Sequence, residues 1–256
     1  MRESVQSIRP ILSRSRSVSF SQYGEDVLLY HMRPQNEGFY VDVGAFHPHL
    51  DSNTYKFYLK GWHGVTIEPN PDIAAAFNSL RPRDTHLTKG IAAAASHLTY
   101  YRFEDAHRNT FDADFVPHIS SPRRAEVEVA CVPLSAVFDE YCVGKQVDLI
   151  SIDCENRDLE VAASLDWSRY RPTVVVIEDF EQFDSGANAA APPGAIRSFF
   201  ASRDYALAAQ VIFSSIYVDR YGFAATGRNT GFRLDQSQLS GLAIRHASKS
   251  RLQQAR

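Results

Sequence analysis

"FYVDVGAFHPHLDSNTYKFYLKGWHGVTIEPNP", residues 39–71, holds two short apolar runs with a mixed, amphipathic stretch between them. The runs end "VDVGA" and "VTIEP", so Gly44 and Glu68 stand just past the ends of two strands, 24 residues apart. Near-continuous apolar runs, rather than alternating ones, mark strands buried on both faces. The intervening "HPH" followed by Asp51 invites a metal reading, but a weak one. Pro48 stiffens the backbone there, and neither a helical i, i+4 pair nor a distant third ligand accompanies it. No metal site is assigned to this loop.

The same pattern continues along the chain. Strands are predicted over 38–45, 63–69, 85–93, 147–155, 172–180, 205–210 and 214–220, and helices over 53–61, 71–80, 157–165 and 193–203. Pro71 and Pro193 suit helix beginnings, where a missing N–H costs nothing. Strands alternating with helices imply an α/β, mostly parallel, doubly wound sheet. The last two strands have no helix between them, which implies an antiparallel hairpin at one edge. Residues 96–135 break the rhythm: "HLTYYRFED" and "AEVEVACVPL" read as two strands around a polar loop, a β-hairpin insertion over one end of the sheet.

The 256 residues suffice for one large domain, and 44% apolar with 22% charged residues is ordinary for a soluble globular chain. A net charge of −3 supplies no general attraction to nucleic acid, and no apolar run reaches the length of a spanning helix. Cys131, Cys142 and Cys154 lack CxxC spacing, which favours free thiols in a reducing, cytoplasmic setting. Residues 1–19, rich in Arg and Ser, read as a flexible basic arm without a secretory apolar core, 20–222 as the folded domain, and 223–256 as a basic C-terminal extension.

Ligands of open parallel sheets bind beyond the carboxyl ends of the strands. A single glycine at the first turn is not the GxGxxG that approaches a pyrophosphate, whereas an acid ending the second strand can accept ribose hydroxyls. That combination suits an adenosine ligand without phosphates, of which S-adenosylmethionine is the common case. Beyond these residues, "SQYGEDVLL" (21–29), the stretch 39–71, "LISIDCENRDLEVAASLDW" (149–167) and "RPTVVVIE" (171–178) together resemble the FkbM-type S-adenosylmethionine-dependent methyltransferases. The resemblance spans most of residues 20–220. It implies a Rossmann-like class I methyltransferase fold and methyl transfer to a hydroxyl of a sugar, glycan or natural-product acceptor.

By this resemblance Asp42, Gly44, Glu68 and Asn70 line the cofactor, with Ser52 and Asn53 at the start of the next helix near its methionine end, either as cofactor contacts or as plain N-caps. Asp153 and Glu155 stand where donor and acceptor meet. Asp153 is the preferred general base and His47 the second, since its ordinary pKa suits the task. Gln22, Glu25 and Asp26 belong to an N-terminal helix that either folds over the cofactor or presents a solvated face. A divalent metal is possible but not required, with Asp153, Glu178 and the adjacent Asp179 as its candidate ligands. One departure stands out: the family pattern Asp-x-Glu-Gly reads "DCEN" here. Asn156 tolerates left-handed backbone angles better than most residues with a side chain. Aromatic and polar groups of the insertion (Tyr100, Tyr101, His107, Arg108, Asn109) suit sugar recognition as well as any wet loop. Rival readings are a non-catalytic cofactor-binding or scaffold protein, favoured by Asn156, and a nicotinamide oxidoreductase, disfavoured by the single glycine. The sequence leaves the oligomeric state open.

Overall fold

The structure, a computed structural model, describes residues 17–180 and 194–222. The C-terminal extension and all but the last three residues of the basic arm therefore lie outside the described residues. In chain order the elements are α1 (Glu25–Met32), β1 (Phe39–Val43), α2 (Tyr55–Leu59), β2 (His63–Ile67), α3 (Ala74–Leu80), β3 (Thr85–Leu87) and β4 (Gly90–Ile91). There follow β5 (Ser96–Phe103), β6 (Arg123–Val132), α4 (Leu134–Tyr141), β7 (Leu149–Ile152), α5 (Asp158–Ala163), β8 (Val174–Glu178), α6 (Ala195–Ala201), β9 (Tyr205–Val211) and β10 (Ser214–Asp219).

Seven strands form one sheet in the order β3-β2-β1-β7-β8-β10-β9. All neighbours from β3 to β8 are parallel, while β10 runs antiparallel to both β8 and β9, giving the expected edge hairpin. The fold is the Rossmann-like α/β arrangement that the sequence implied. Alternation along β1 sorts its side chains between two cores. Phe39, Val41 and Val43 join Ile150, Ile152 and Val175 on one face, beneath α4, α5 and α6. Tyr40 faces the other way and packs with Leu149, Val176, Ile216 and the apolar sides of α1 and α2.

Two expectations change. The single strand predicted over 85–93 is split: β3 pairs with β2 in the large sheet, and β4 pairs with β6 in a separate three-stranded sheet, β4-β6-β5. The insertion is thus a hairpin stitched by β4 to the chain leaving the large sheet. Helix α4 was not anticipated, although "LSAVFDEY" buries Leu134, Val137 and Phe138 at helical spacing directly after Pro133. Among the described residues no helix is long and apolar enough to cross a membrane.

On the Tyr40 face of β1 and β2 lies a buried polar girdle. Arg81, 1% exposed, donates through Nε to Asp84 (2.6 Å) and through Nη2 to Tyr40 Oη and Thr54 Oγ1 (both 2.9 Å). Asp84 also accepts from Tyr40 Oη (2.8 Å) and the Gly64 N–H (2.9 Å). Thr54 in turn donates to Asp42, whose carboxylate is 3% exposed. This network ties α2, β1, β2 and the turn before β3 together. A buried ion pair of this kind adds modest net stability but is costly to break from one side. Replacing Asp84 by Ala is expected to destabilise the chain by about 3 kcal/mol, a fall of roughly 6–12 °C in thermal midpoint. Arg81→Met combined with Asp84→Leu should cost less than the sum of the two single changes, and thermal denaturation of these four variants, Asp84→Ala included, measures both effects.

Candidate active site

Strand register assembles the site. Ile67, Val43, Ile152 and Ile177 are successive partners across β2, β1, β7 and β8. The next residue on each strand is therefore Glu68, Gly44, Asp153 and Glu178, a single row at the carboxyl edge of four neighbouring strands. Gly44 is required at its place in this row. Its φ is +72°, and a Cβ there would stand 1.6 Å from the Asp153 carbonyl oxygen. Its N–H and that of Ala45 both donate to Ile67 O (2.9 and 3.1 Å), while Asp153 N donates to Val43 O (3.0 Å). The chain leaving β1 thus passes directly beneath the end of β7.

Beyond the row opens a cavity that holds about 780 Å³ of empty space, counted together with its mouth open to solvent. Its walls include Gly44, Glu68, Tyr100, His107, Asp153 and Glu155. Glu68 is 5% exposed and rigidly held. Oε2 accepts from Phe46 N (3.0 Å), and Oε1 accepts from Asn70 N (2.8 Å) and Tyr100 Oη (3.3 Å). Burial pushes its pKa from 4.5 up to about 7, against the opposing pull of these donors. A carboxylate offers about four lone-pair positions, so one on Oε2 remains for a ligand.

Acids crowd the other end of the cavity. Oxygens of Asp153, Glu155 and Glu178 lie within 4.8 Å of one another. Burial raises the pKa of each. Neighbouring carboxylates add to the effect, Asp42 and Glu25 on Asp153, and Asp153 and Asp158 on both Glu155 and Glu178. His107 opposes the rise at Asp153, and Arg108 opposes it at Glu155 and Glu178. Glu155 and Asn156 both take left-handed backbone angles, φ 48° and 80°. Asn156 thus adopts the conformation for which the family pattern uses glycine, and its Nδ2 donates to Asp112 in the insertion (2.7 Å).

The insertion closes the cavity from above. His107 stacks on Phe46 with ring centroids 4.1 Å apart. Its Nε2 and Nδ1 lie 3.0 Å from Asp51 and 3.1 Å from Asp105. Thr110 Oγ1 donates to Glu155 O (3.0 Å), and Tyr100 reaches Glu68 from the same hairpin.

The structure brings Gly44, Glu68, Asp153 and Glu155 together in the cavity wall, with Gln22 at its rim. The other named residues stand around it. Asp42 shares the face of Tyr40 and is bonded to Thr54 within the girdle. Ser52 Oγ accepts from Tyr55 N (3.1 Å) at the start of α2, and Asn53 Nδ2 donates to Ser151 on β7 (3.2 Å). Asn70 holds Glu68 through its backbone, while its side chain accepts from Asp72 N (3.2 Å). His47 Nδ1 accepts from the N–H groups of His49 and Leu50 (3.3 and 3.2 Å), anchoring its own loop. Burial, followed by His49, lowers its pKa.

Glu25 and Asp26 are buried, not on a solvated face. Asp26 accepts from Ser19 Oγ (2.7 Å), Phe20 N (2.9 Å) and Ser21 Oγ (2.9 Å), fastening the segment before α1. Phe46, Asp51 and Arg157 in the cavity wall were not picked out as site residues from the sequence. Position alone could have found Phe46 and Arg157, which lie two residues beyond Gly44 and Glu155. Asp51 had suggested only metal ligation.

With this geometry in view, the chain matches the family model described as the methyltransferase FkbM domain over residues 42–207. No curated protein sequence matches the chain. The matched span runs from β1 into β9, takes in the whole carboxyl-edge row and the insertion, and covers well over half of the sequence. The chain belongs to the FkbM methyltransferase domain family.

Proposed function

We propose that this chain is an S-adenosylmethionine-dependent O-methyltransferase whose acceptor is a hydroxyl of a sugar, glycan or natural product. The observation that carries this reading is the carboxyl-edge row itself, with Glu68 and Asp153 on either side of Gly44 in one cavity. The residues present suit the cofactor. Glu68 keeps one acceptor position for a ribose hydroxyl, and the surplus of carboxylates favours a positively charged donor. When bound, S-adenosylmethionine supplies an electrophilic methyl group on a cationic sulfur.

The protein's share of the chemistry is positioning and proton removal. Glu68, braced by Phe46, Asn70 and Tyr100, orients the adenosine half. The insertion, latched by His107 between Asp51 and Asp105, excludes water from the far side. Asp153 accepts the proton of the acceptor hydroxyl as its oxygen becomes the nucleophile. Its raised pKa brings it closer to neutrality, where a general base is most effective. Asn156 in its left-handed turn supports a working site rather than a scaffold.

Three outcomes test this reading. Glu68→Ala should weaken S-adenosylhomocysteine binding at least about tenfold in calorimetry, the loss expected for one hydrogen bond to a charged group. Unchanged affinity would remove Glu68 from the ribose role. The same titration has a pH dependence with a definite sign. A hydroxyl donates to ionised Glu68, so affinity is full above its pKa of about 7 and falls as the group protonates. Affinity should thus drop severalfold between about pH 7.5 and about pH 5.5, and Glu68→Gln should flatten that profile. Asp153→Asn should lower methyl transfer to a responsive acceptor by about 10²–10⁴-fold with far less change in cofactor affinity. Equal turnover would eliminate Asp153 as the base.

A further inference from the structure

The three crowded acids, each partly buried, differ in their surroundings from the buried acids of the frame. Asp42, Asp26, Asp84, Asp179 and Glu68 each accept hydrogen bonds from hydroxyls, guanidinium groups or backbone N–H groups. Glu178 does not: its Oε2 is fully buried and has no hydrogen-bond partner among the described residues. Among the described residues it is the one carboxylate oxygen of the buried side-chain atoms left in that condition. None of the ion pairs among the described residues involves Asp153, Glu155 or Glu178. A desolvated carboxylate oxygen without a donor is costly, and like charges at this spacing add to the cost.

We infer that Asp153, Glu155 and Glu178 bind one hard divalent cation, of the Mg²⁺ or Mn²⁺ class, at the carboxyl ends of β7 and β8. The donor set consists of oxygen alone, the choice of such ions over zinc or copper. Asp153 and Glu178 are placed by adjacent positions of the strand register, and Glu155 is turned back towards them by its left-handed backbone. The set differs from the one the sequence suggested. Asp179 is turned towards β10, where its Oδ2 accepts from Ser215 (2.6 Å), and Glu155 takes the third place. One positive charge on a sulfonium cannot balance three carboxylates, whereas a divalent ion can approach that balance.

Cation binding stands on this geometry alone; its use in catalysis rests on the proposed methyl transfer. In that role the ion would coordinate the acceptor hydroxyl and make it more acidic, with the proton passing to a carboxylate oxygen not engaged with the metal. Three carboxylates leave coordination positions for such an oxygen and for water.

Titration of the full chain with Mn²⁺, followed through the free-ion electron paramagnetic resonance signal, tests the inference. One saturable site per chain is expected. Glu178→Gln and Asp153→Asn should each weaken it by about tenfold or more, while Asp139→Asn on the distant α4 leaves it unchanged. Glu155→Gln, in a loop, serves as the second variant should Glu178→Gln not fold. Absence of a saturable site, or a site that these substitutions leave unchanged, overturns the inference. A methyl-transfer assay with and without chelator separates the two readings. Mn²⁺ binding without transfer to any acceptor rejects the activity alone, and transfer indifferent to chelator with no Mn²⁺ site rejects the cation alone.

Discussion

The close passage of Gly44 beneath the Asp153 carbonyl is the constraint on which the site depends. With no Cβ at residue 44, β1 can turn under the end of β7 while both strands stay in register. Glu68, Gly44, Asp153 and Glu178 then fall in one row, and the cavity opens directly above it. Any side chain at this position would push the β1 exit away from β7. Glu68 and the acids Asp153 and Glu155 would then no longer share a wall.

Behind that row, the buried polar groups are largely satisfied. The Arg81 girdle, the Asp26 clasp on the segment before α1 and the donors around Glu68 spend their hydrogen bonds within the protein. Asp153 and Glu155 in the cavity wall, with raised pKa values, and the adjoining Glu178, whose Oε2 is buried without a partner among the described residues, lack that support. This division between a satisfied frame and an unsatisfied face is what a site preorganised for positive charge requires. It also explains why Asp42, although adjacent in sequence to the turn, serves the frame instead of the cavity.

The insertion belongs to the site, not to the periphery. β4 leaves β3 after two residues and pairs with β6, so the small sheet is anchored where the large sheet ends. From there Tyr100 reaches Glu68, Thr110 reaches Glu155, Asp112 receives Asn156, and His107 meets Asp51. The Glu68 side and the Glu155 side of the cavity are therefore braced by one hairpin. Asn156 gains a partner in the insertion that a glycine, having no side chain, could not bond.

The sequence by itself determined the architecture, because apolar runs of strand length and helix-starting prolines are local signals. It likewise determined that Gly44, Glu68, Asp153 and Glu155 lie at strand ends, since each closes or follows an apolar run. The left-handed turn at Asn156 was legible from residue type. Tertiary structure alone decided which polar residues face the cavity. Asp42 and Glu68 look alike along the chain and hold like-facing positions in the strand register, yet Asp42 lies within β1 and bonds Thr54 in the girdle, whereas Glu68 lies just past β2 and lines the cavity. His47 and His107 are both loop histidines, and only the folding of the insertion back onto Asp51 separates a loop anchor from a latch. The grouping of Glu155 with Glu178 in place of Asp179 depends on strand register and one left-handed residue. Those are contacts between segments distant in sequence, and no local pattern encodes them.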